Sequence, residues 1–247
     1  MWVYTSGPYE RHQVRYFEYQ PDRSGKHPAA LLKEFEGRLV TGTQAMTRYP
    51  KRSAAAAGRI CAGSGGRAMP RGATSSTSKA AIGYEYCNKL FALERKYEGC
   101  SPKHRQEMRQ AQTEPVLDAY WAWVEKLDPE PGSKLEDAVK YATNQKQALN
   151  TFLHYGDVEI SNNLAENAIR PFVVGRKNWL FCDTPKGAEA STIVYSLVET
   201  AKANNVEPFA YLSFILDEIR WLGKTPPAVE LDALLPWNPA LRKKLEN

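Results

Sequence analysis

Between Glu36 and Glu85 the chain contains no acidic residue, while Arg38, Arg48, Lys51, Arg52, Arg59, Arg67, Arg71 and Lys79 all fall there. The whole chain carries +5, so everything outside that stretch is net acidic. A mildly basic balance suits a polyanionic partner and by itself decides nothing. No run of eighteen apolar residues occurs, which excludes a membrane-spanning helix of ordinary length. Met1-Trp2-Val3-Tyr4-Thr5 has neither the basic nor the apolar region of a secretion signal, so the expected location is cytoplasmic. Cys61, Cys87, Cys100 and Cys182 form no Cys-x-x-Cys pair, which argues against a zinc ribbon and a disulfide scaffold. His12, His27, His104 and His154 lie far apart without metal-ligand spacing. There is no Gly-x-Ser-x-Gly elbow, no phosphate-binding lysine loop and no dinucleotide fingerprint, which removes the usual marks of an esterase, an NTPase or a dehydrogenase.

What is present can build a core, since 43% of the 247 residues are hydrophobic. Trp2-Val3-Tyr4 and Val14 to Tyr19 are aromatic and β-branched runs separated by Gly7-Pro8, which predicts a hairpin. Pro28 suits the first turn of a short helix that Gly37 ends, and Arg38-Leu39-Val40-Thr41 follows as a strand. Residues 42–77 carry almost no apolar periodicity, so neither helix nor strand can be read there, and a basic loop is the simplest account. Ile82, Tyr86, Leu90, Leu93 and Tyr97 then predict an amphipathic helix with Gly99 just beyond. A second helix runs from Ser101-Pro102 to near Leu127 with a kink or break at Pro115, and Ser133 to Glu136 is a capping box that opens a third, reaching about Phe152. The last pair spans Gly187 to Ala203, with Ile193, Val194, Leu197 and Val198 expected to face inward, and Pro208 to about Trp221 after an Asn204-Asn205 break.

The densest chemistry lies in Asn162-Asn163-Leu164-Ala165-Glu166-Asn167-Ala168-Ile169-Arg170-Pro171, followed by Gly175-Arg176-Lys177-Asn178-Trp179-Leu180-Phe181. A carboxylate, amides and cations within twenty residues look like a site for metal and DNA. A helix opened by Asn162 or Asn163 would put Glu166 one turn from both asparagines and from Arg170. The asparagines can cap that helix or meet a phosphate. Arg170, Arg176 and Lys177 are candidates for phosphate contact, which holds a duplex without reading its sequence, and otherwise would be solvated or paired with nearby glutamates. Trp179 and Phe181 alternate about Leu180 as a strand would.

In wording and order this stretch resembles the C-terminal signature of the IS66 family of bacterial transposases. The resemblance implies a mixed α/β fold: a ribonuclease-H-like core, incomplete at its N-terminal strand, with a large helical insertion and a helical C-terminus. It implies that Glu166 is the last member of an Asp-Asp-Glu triad binding Mg²⁺ or Mn²⁺, and that the partners are DNA at insertion-sequence ends, with a homo-oligomer or an intact transposase as a protein partner and no membrane. The first Asp of such a triad belongs to a strand upstream of Trp2, and the second to an Asp-Gly-Tyr-x-x-Tyr motif near residue 42; neither is found in this chain. The expected organisation is therefore 1–41 as the start of the core, 42–77 as an anomalous basic segment, 78–155 as the helical insertion, 156–225 as the rest of the core, and 226–247 as a tail.

The codons of Gly42 to Thr47, regrouped one base earlier, can encode Gly-Tyr-Ala-Gly-Tyr-Asp. Ser53 to Ser64 in that same frame can encode a Cys-Gly-Trp-Ala-His-Leu-Arg-Arg block similar to the family's next motif. A frame change near Thr41, reversed near Ser75 to Ser78, would account for both. The expectation is a transposase-family protein for DNA strand cleavage and transfer that is catalytically inactive in this form. The alternative is a non-catalytic remnant that binds DNA or a transposase partner.

Overall fold

A computed structural model describes residues 1–41, 54–56, 78–179 and 184–245, with side chains described except at 54–56 and 176–179. In chain order the elements are β1 (Trp2–Thr5), β2 (Arg15–Glu18), α1 (Lys26–Leu31), β3 (Leu39–Thr41), β4 (Ala54–Ala56), α2 (Lys79–Lys96), α3 (Pro102–Met108), α4 (Glu114–Val124), α5 (Lys134–Asn144) and α6 (Lys146–Asn150). They continue with α7 (Asn163–Trp179), α8 (Pro185–Ala203), α9 (Pro208–Ile219), α10 (Ala228–Asp232) and α11 (Pro239–Leu245). The described chain is mostly helical with a small antiparallel sheet and a short parallel pair, a mixed α/β composition. It divides into two compact units: Gly25–Asn163, and Met1–Ser24 together with Leu164–Asn247.

In the first of these units, helices α2, α4 and α6 enclose a core of Leu90, Leu117, Tyr120, Trp121, Val124, Leu149, Phe152 and Leu153. The aromatic face at Tyr120 and Trp121 is packing, as its helical spacing predicts. Gly99 takes φ 81°, a left-handed turn that a side chain would disfavour, and ends the α2 region where the sequence placed it. The break expected at Pro115 is a π-helical turn over Arg109–Thr113 between α3 and α4. Proline has no N–H to donate back to the preceding turn, so the ladder widens just ahead of it. Ser133 caps α5 through its hydroxyl, which accepts the Glu136 N–H at 3.1 Å, while Glu136 accepts the Gly132 N–H at 2.8 Å. The third helix does not run unbroken to Phe152: α5 stops at Asn144, and α6 and a 3-10 turn at Thr151–His154 complete the span.

Within the segment that showed no periodicity, Ala54–Ala56 pair in parallel with β3. Three alanines have no alternation to read, and backbone pairing alone makes that strand. The rest of 42–77, including the shifted-frame blocks, lies outside the described residues.

In the second unit β1 and β2 form the predicted hairpin, with Val3 opposite Phe17 and Tyr4 opposite Tyr16. Helix α8 lies along β2, and Phe17 is 1% exposed beneath it. The inward face of α8 is only partly the predicted one: Leu197 packs against the core of Ala201, Val206, Tyr211, Ile215 and Leu241, but Ile193 and Val194 do not turn in. Ile193 and Val194 are 62% and 49% exposed, whereas Ala188, Thr192, Thr200 and Ala201 are buried. The reason is hydrogen bonding at the edge of β2. The Phe17 N–H donates to Ser196 Oγ at 2.8 Å, the Arg15 N–H donates to Thr200 Oγ1 at 3.0 Å, and the Gln13 N–H donates to Asn204 Oδ1 at 3.2 Å. Four residues of helix advance about 6 Å and two residues of strand about 6.6 Å, so a period of four on α8 keeps pace with a period of two on β2. The helix thus serves as a substitute strand, and it closes an edge that would otherwise be open. At its end Asn205 adopts φ 57°, and the Val206 N–H reaches the Ala201 carbonyl at 2.9 Å, a left-handed stop that asparagine tolerates.

Candidate functional site

The segment leading into the signature is pinned within its own unit. Val158 and Ile160 are buried, and the residues between and before them face charge: Asp157 pairs with Arg38, and Glu159 lies 3.6 Å from Arg105. Burial pushes the Glu159 carboxyl above its ordinary range, against the pull of Arg105. Gly156 passes so close to the α3 start that a Cβ would sit 1.7 Å from the Pro102 carbonyl oxygen. No other residue fits there without moving the backbone.

Helix α7 then begins at Asn163, as the asparagine pair predicts, but the group that meets its first N–H is a hydroxyl. Ser161, 8% exposed, accepts the Asn163 N–H at 3.4 Å. Asn162 Oδ1 is buried and has no hydrogen-bond partner among the described residues. An acceptor in that state costs roughly 1–3 kcal/mol. Asn163 is exposed. Glu166 occupies the first turn of α7 and is half-buried, with Oε1 shielded from solvent. A carboxylate there also complements the positive end of the helix, a stabilising role that requires no ligand.

Arg170 lies one turn further on and is exposed, and Pro171 follows inside the helix. Ala168 is buried, and Phe172 meets the Tyr195 ring edge-on at 5.3 Å. Tyr195 in turn contacts Phe17 of β2 at 5.8 Å, so an aromatic relay seats this part of α7 in its unit. The backbones of Arg176 and Lys177 belong to α7, but their side chains lie outside the described residues, so the phosphate-contact expectation for them does too. Trp179 ends the helix and is not in a strand. Three alternating residues are too few to outweigh the helical spacing of Ala165, Ala168, Ile169 and Phe172. Phe181 is outside the described residues.

Chemically, α7 offers a shielded carboxylate at Glu166 and an exposed guanidinium at Arg170, one turn apart. Among the described residues no three His, Cys, Asp or Glu side chains gather as a metal site would require. Asp22 accepts the Ser24 N–H at 2.7 Å, Asp157 is held by Arg38, and Asp183 is outside the described residues. One carboxylate is a poor holder for two hard cations, so the donors at hand do not fit a two-metal centre, and no chemical step is derived through one. Sequence reasoning missed Ser161, although a serine directly before the asparagine pair is itself a helix-start signal.

Residues 1–190 match the Transposase IS66 family, and residues 196–237 match the IS66 C-terminal element. Among curated proteins, the chain is 36% identical over 151 residues to Uncharacterized protein y4qI of Sinorhizobium fredii (strain NBRC 101917 / NGR234), covering 60% of this chain and 28% of the relative. It is 30% identical over 152 residues to y4hP of the same organism, covering 61% and 27%. For y4jD, also of that organism, the identity is 31% over 151 residues, covering 60% and 29%. The chain therefore spans less than a third of the length of these relatives. No solved structure matches it. Among the described residues no helix is long and apolar enough to cross a membrane.

Proposed function

Because the chain belongs to the IS66 family of transposases, we propose that it is a transposition protein whose α7 signature engages DNA at insertion-sequence ends without cutting it. The supporting observation is the placement of Glu166 in the first turn of α7, one turn from the exposed Arg170. In this reading β1, β2 and β3 descend from a ribonuclease-H-like core, and Glu166 is the last ligand of a divalent-metal triad that is no longer complete. Asn162, Asn163, Arg170, Arg176 and Lys177 meet the phosphate backbone. The family implies Mg²⁺ or Mn²⁺ in general, and here Glu166 would be its ligand. The segment 42–77 is out-of-frame sequence; reading the coding strand from codon 37 to codon 80 tests this directly, since absence of the shifted motifs would remove the frame change.

The test of function is incubation of the purified chain with end-containing duplex DNA and Mg²⁺ or Mn²⁺. The expected result is no nicking that Glu166→Gln abolishes, and such nicking would overturn the inactivity. Binding should weaken steeply with salt, and Arg170→Ala should reduce the salt slope by about one. Salt-insensitive binding would remove DNA as the partner. A second reading, a remnant that docks on another transposase copy, is favoured by the apolar surface of α9, where Phe209 and Leu216 are 79% and 65% exposed.

A further inference from the structure

We infer that the outer face of α9 pairs, in antiparallel sense, with the same face of a second copy of this chain. The helix has two apolar faces. On the inner one Tyr211 and Ile215 pack with Ala201, Val206 and Leu241, and the Tyr211 hydroxyl donates to the Leu234 carbonyl at 3.0 Å. On the outer one Phe209, Leu216 and Ile219 are 79%, 65% and 51% exposed, with Leu212 half-buried between them. Trp221, just beyond the helix, is 82% exposed. Scattered apolar residues on a surface are ordinary, but a contiguous stripe is not.

The spacing of 209, 212, 216 and 219 is three, four, three, the seam of a helix pair. It reads the same in both directions. An antiparallel twofold therefore sets Phe209 against the partner's Ile219 and Leu212 against the partner's Leu216, with every apolar residue matched. Charge selects this sense over the parallel one. Glu207 stands at the start of α9 and Arg220 at its end, both exposed. Antiparallel pairing places each beside its opposite, whereas parallel pairing would place like beside like. It also brings the positive end of each helix to the negative end of the other.

The same charges disfavour other occupants. Glu207, Asp217 and Glu218 flank the stripe, with Arg220 2.7 Å from Asp217 and Lys244 3.1 Å from Glu218, so the cations near it are already paired with acids and the face lacks the basic rim of a membrane-surface helix. The pairing does not rest on the reading of Glu166. One helix pair is a small interface, so association belongs at the weak end of specific pairs.

Light scattering of the full chain over a concentration series tests this. The mass should rise from 27.8 kDa, that of one chain, toward twice that value. Leu216→Glu should hold the chain at the monomer mass with its melting transition unchanged, a loss of affinity of about tenfold or more. Arg220→Glu, which sets two carboxylates together at each end, should weaken association at low salt and recover at high salt. If Leu216→Glu fails to fold, Leu216→Gln and Arg220→Glu carry the same test. A wild-type chain that stays monomeric at every concentration, or a dimer indifferent to Leu216→Glu, overturns the proposal, and the first outcome would leave a different protein as the occupant. Association strengthened by Arg220→Glu would rule out the antiparallel sense.

Discussion

In Gly25–Asn163 a buried ion pair, Arg109 with Glu94, gathers the backbone groups around it; in the unit formed by the two ends of the chain neutral hydroxyls and an amide do so along β2, beside the buried Arg15. Arg109 is 0% exposed, donates to Glu94 through Nε at 2.9 Å and Nη2 at 2.6 Å, and donates through Nη1 to the carbonyls of Phe152 and Tyr155. Thr200 accepts the Arg15 N–H and donates to the Arg15 carbonyl at 3.1 Å, with Ser196 and Asn204 repeating the pattern one turn to either side. Both arrangements give backbone groups a side-chain partner. The ion does so from one point, where a helix, a 3-10 turn and a loop converge. The neutral ladder does so along a line, because helix and strand share a repeat. A desolvated charge is costly to strip of its partner, while a neutral hydrogen bond is cheaper to lose, so the two units should fail by different amounts.

The largest effect is expected at the ion. Arg109→Met leaves Glu94 and two carbonyls without their donor and should cost about 3–5 kcal/mol in chemical unfolding, with Glu94→Leu added to it recovering part of that loss. Recovery to none of it would mean the carbonyls, and not the pair, set the cost. Thr200→Val keeps the shape and removes both bonds to Arg15, for about 1–3 kcal/mol, and the Arg15 amide should exchange faster. Ser196→Ala removes one bond to the Phe17 N–H and should cost about 1 kcal/mol. If it costs as much as Thr200→Val, the ladder is cooperative and not a sum of rungs.

The smallest effects are electrostatic and of opposite sign in the two units. The Ala210 and Phe209 N–H groups hold the Glu207 carboxyl below the usual range, so it adds stability above ordinary carboxylate pH that is lost as pH falls through its folded value. Burial raises Glu159, so its contribution is fullest in acid and is lost as pH rises through its folded value. Glu207→Gln should flatten the acid side of the stability curve, and Glu159→Gln should flatten the slope above it. Parallel slopes in the two variants would contradict this assignment.

Much of the local structure was legible in the residues themselves. The β1–β2 hairpin, the Ser133 cap, the Gly99 stop and the Asn204-Asn205 break all depend on groups within a few positions of one another. The candidate site was legible only as a string: Asn163 opens α7 and Glu166 stands in its first turn, but that Ser161 takes the cap and Asn162 Oδ1 is left buried depends on how 156–161 is seated. The Arg109 hub was not foreseen, since nothing in the sequence around Arg105 and Arg109 marks an arginine on a helix as buried.

The sequence by itself determined where elements begin and end, because prolines, glycines and capping side chains act on their own turn. It also determined family, through an ordered signature that composition could not imitate. Only the tertiary structure decided which face of α8 is buried. Ile193 and Val194 would win on hydrophobicity alone, yet Ser196, Thr200 and Asn204 turn inward because their partners in and just before β2 lie 179 to 191 residues away, and the backbone groups they satisfy would together cost more unpaired than two exposed apolar side chains.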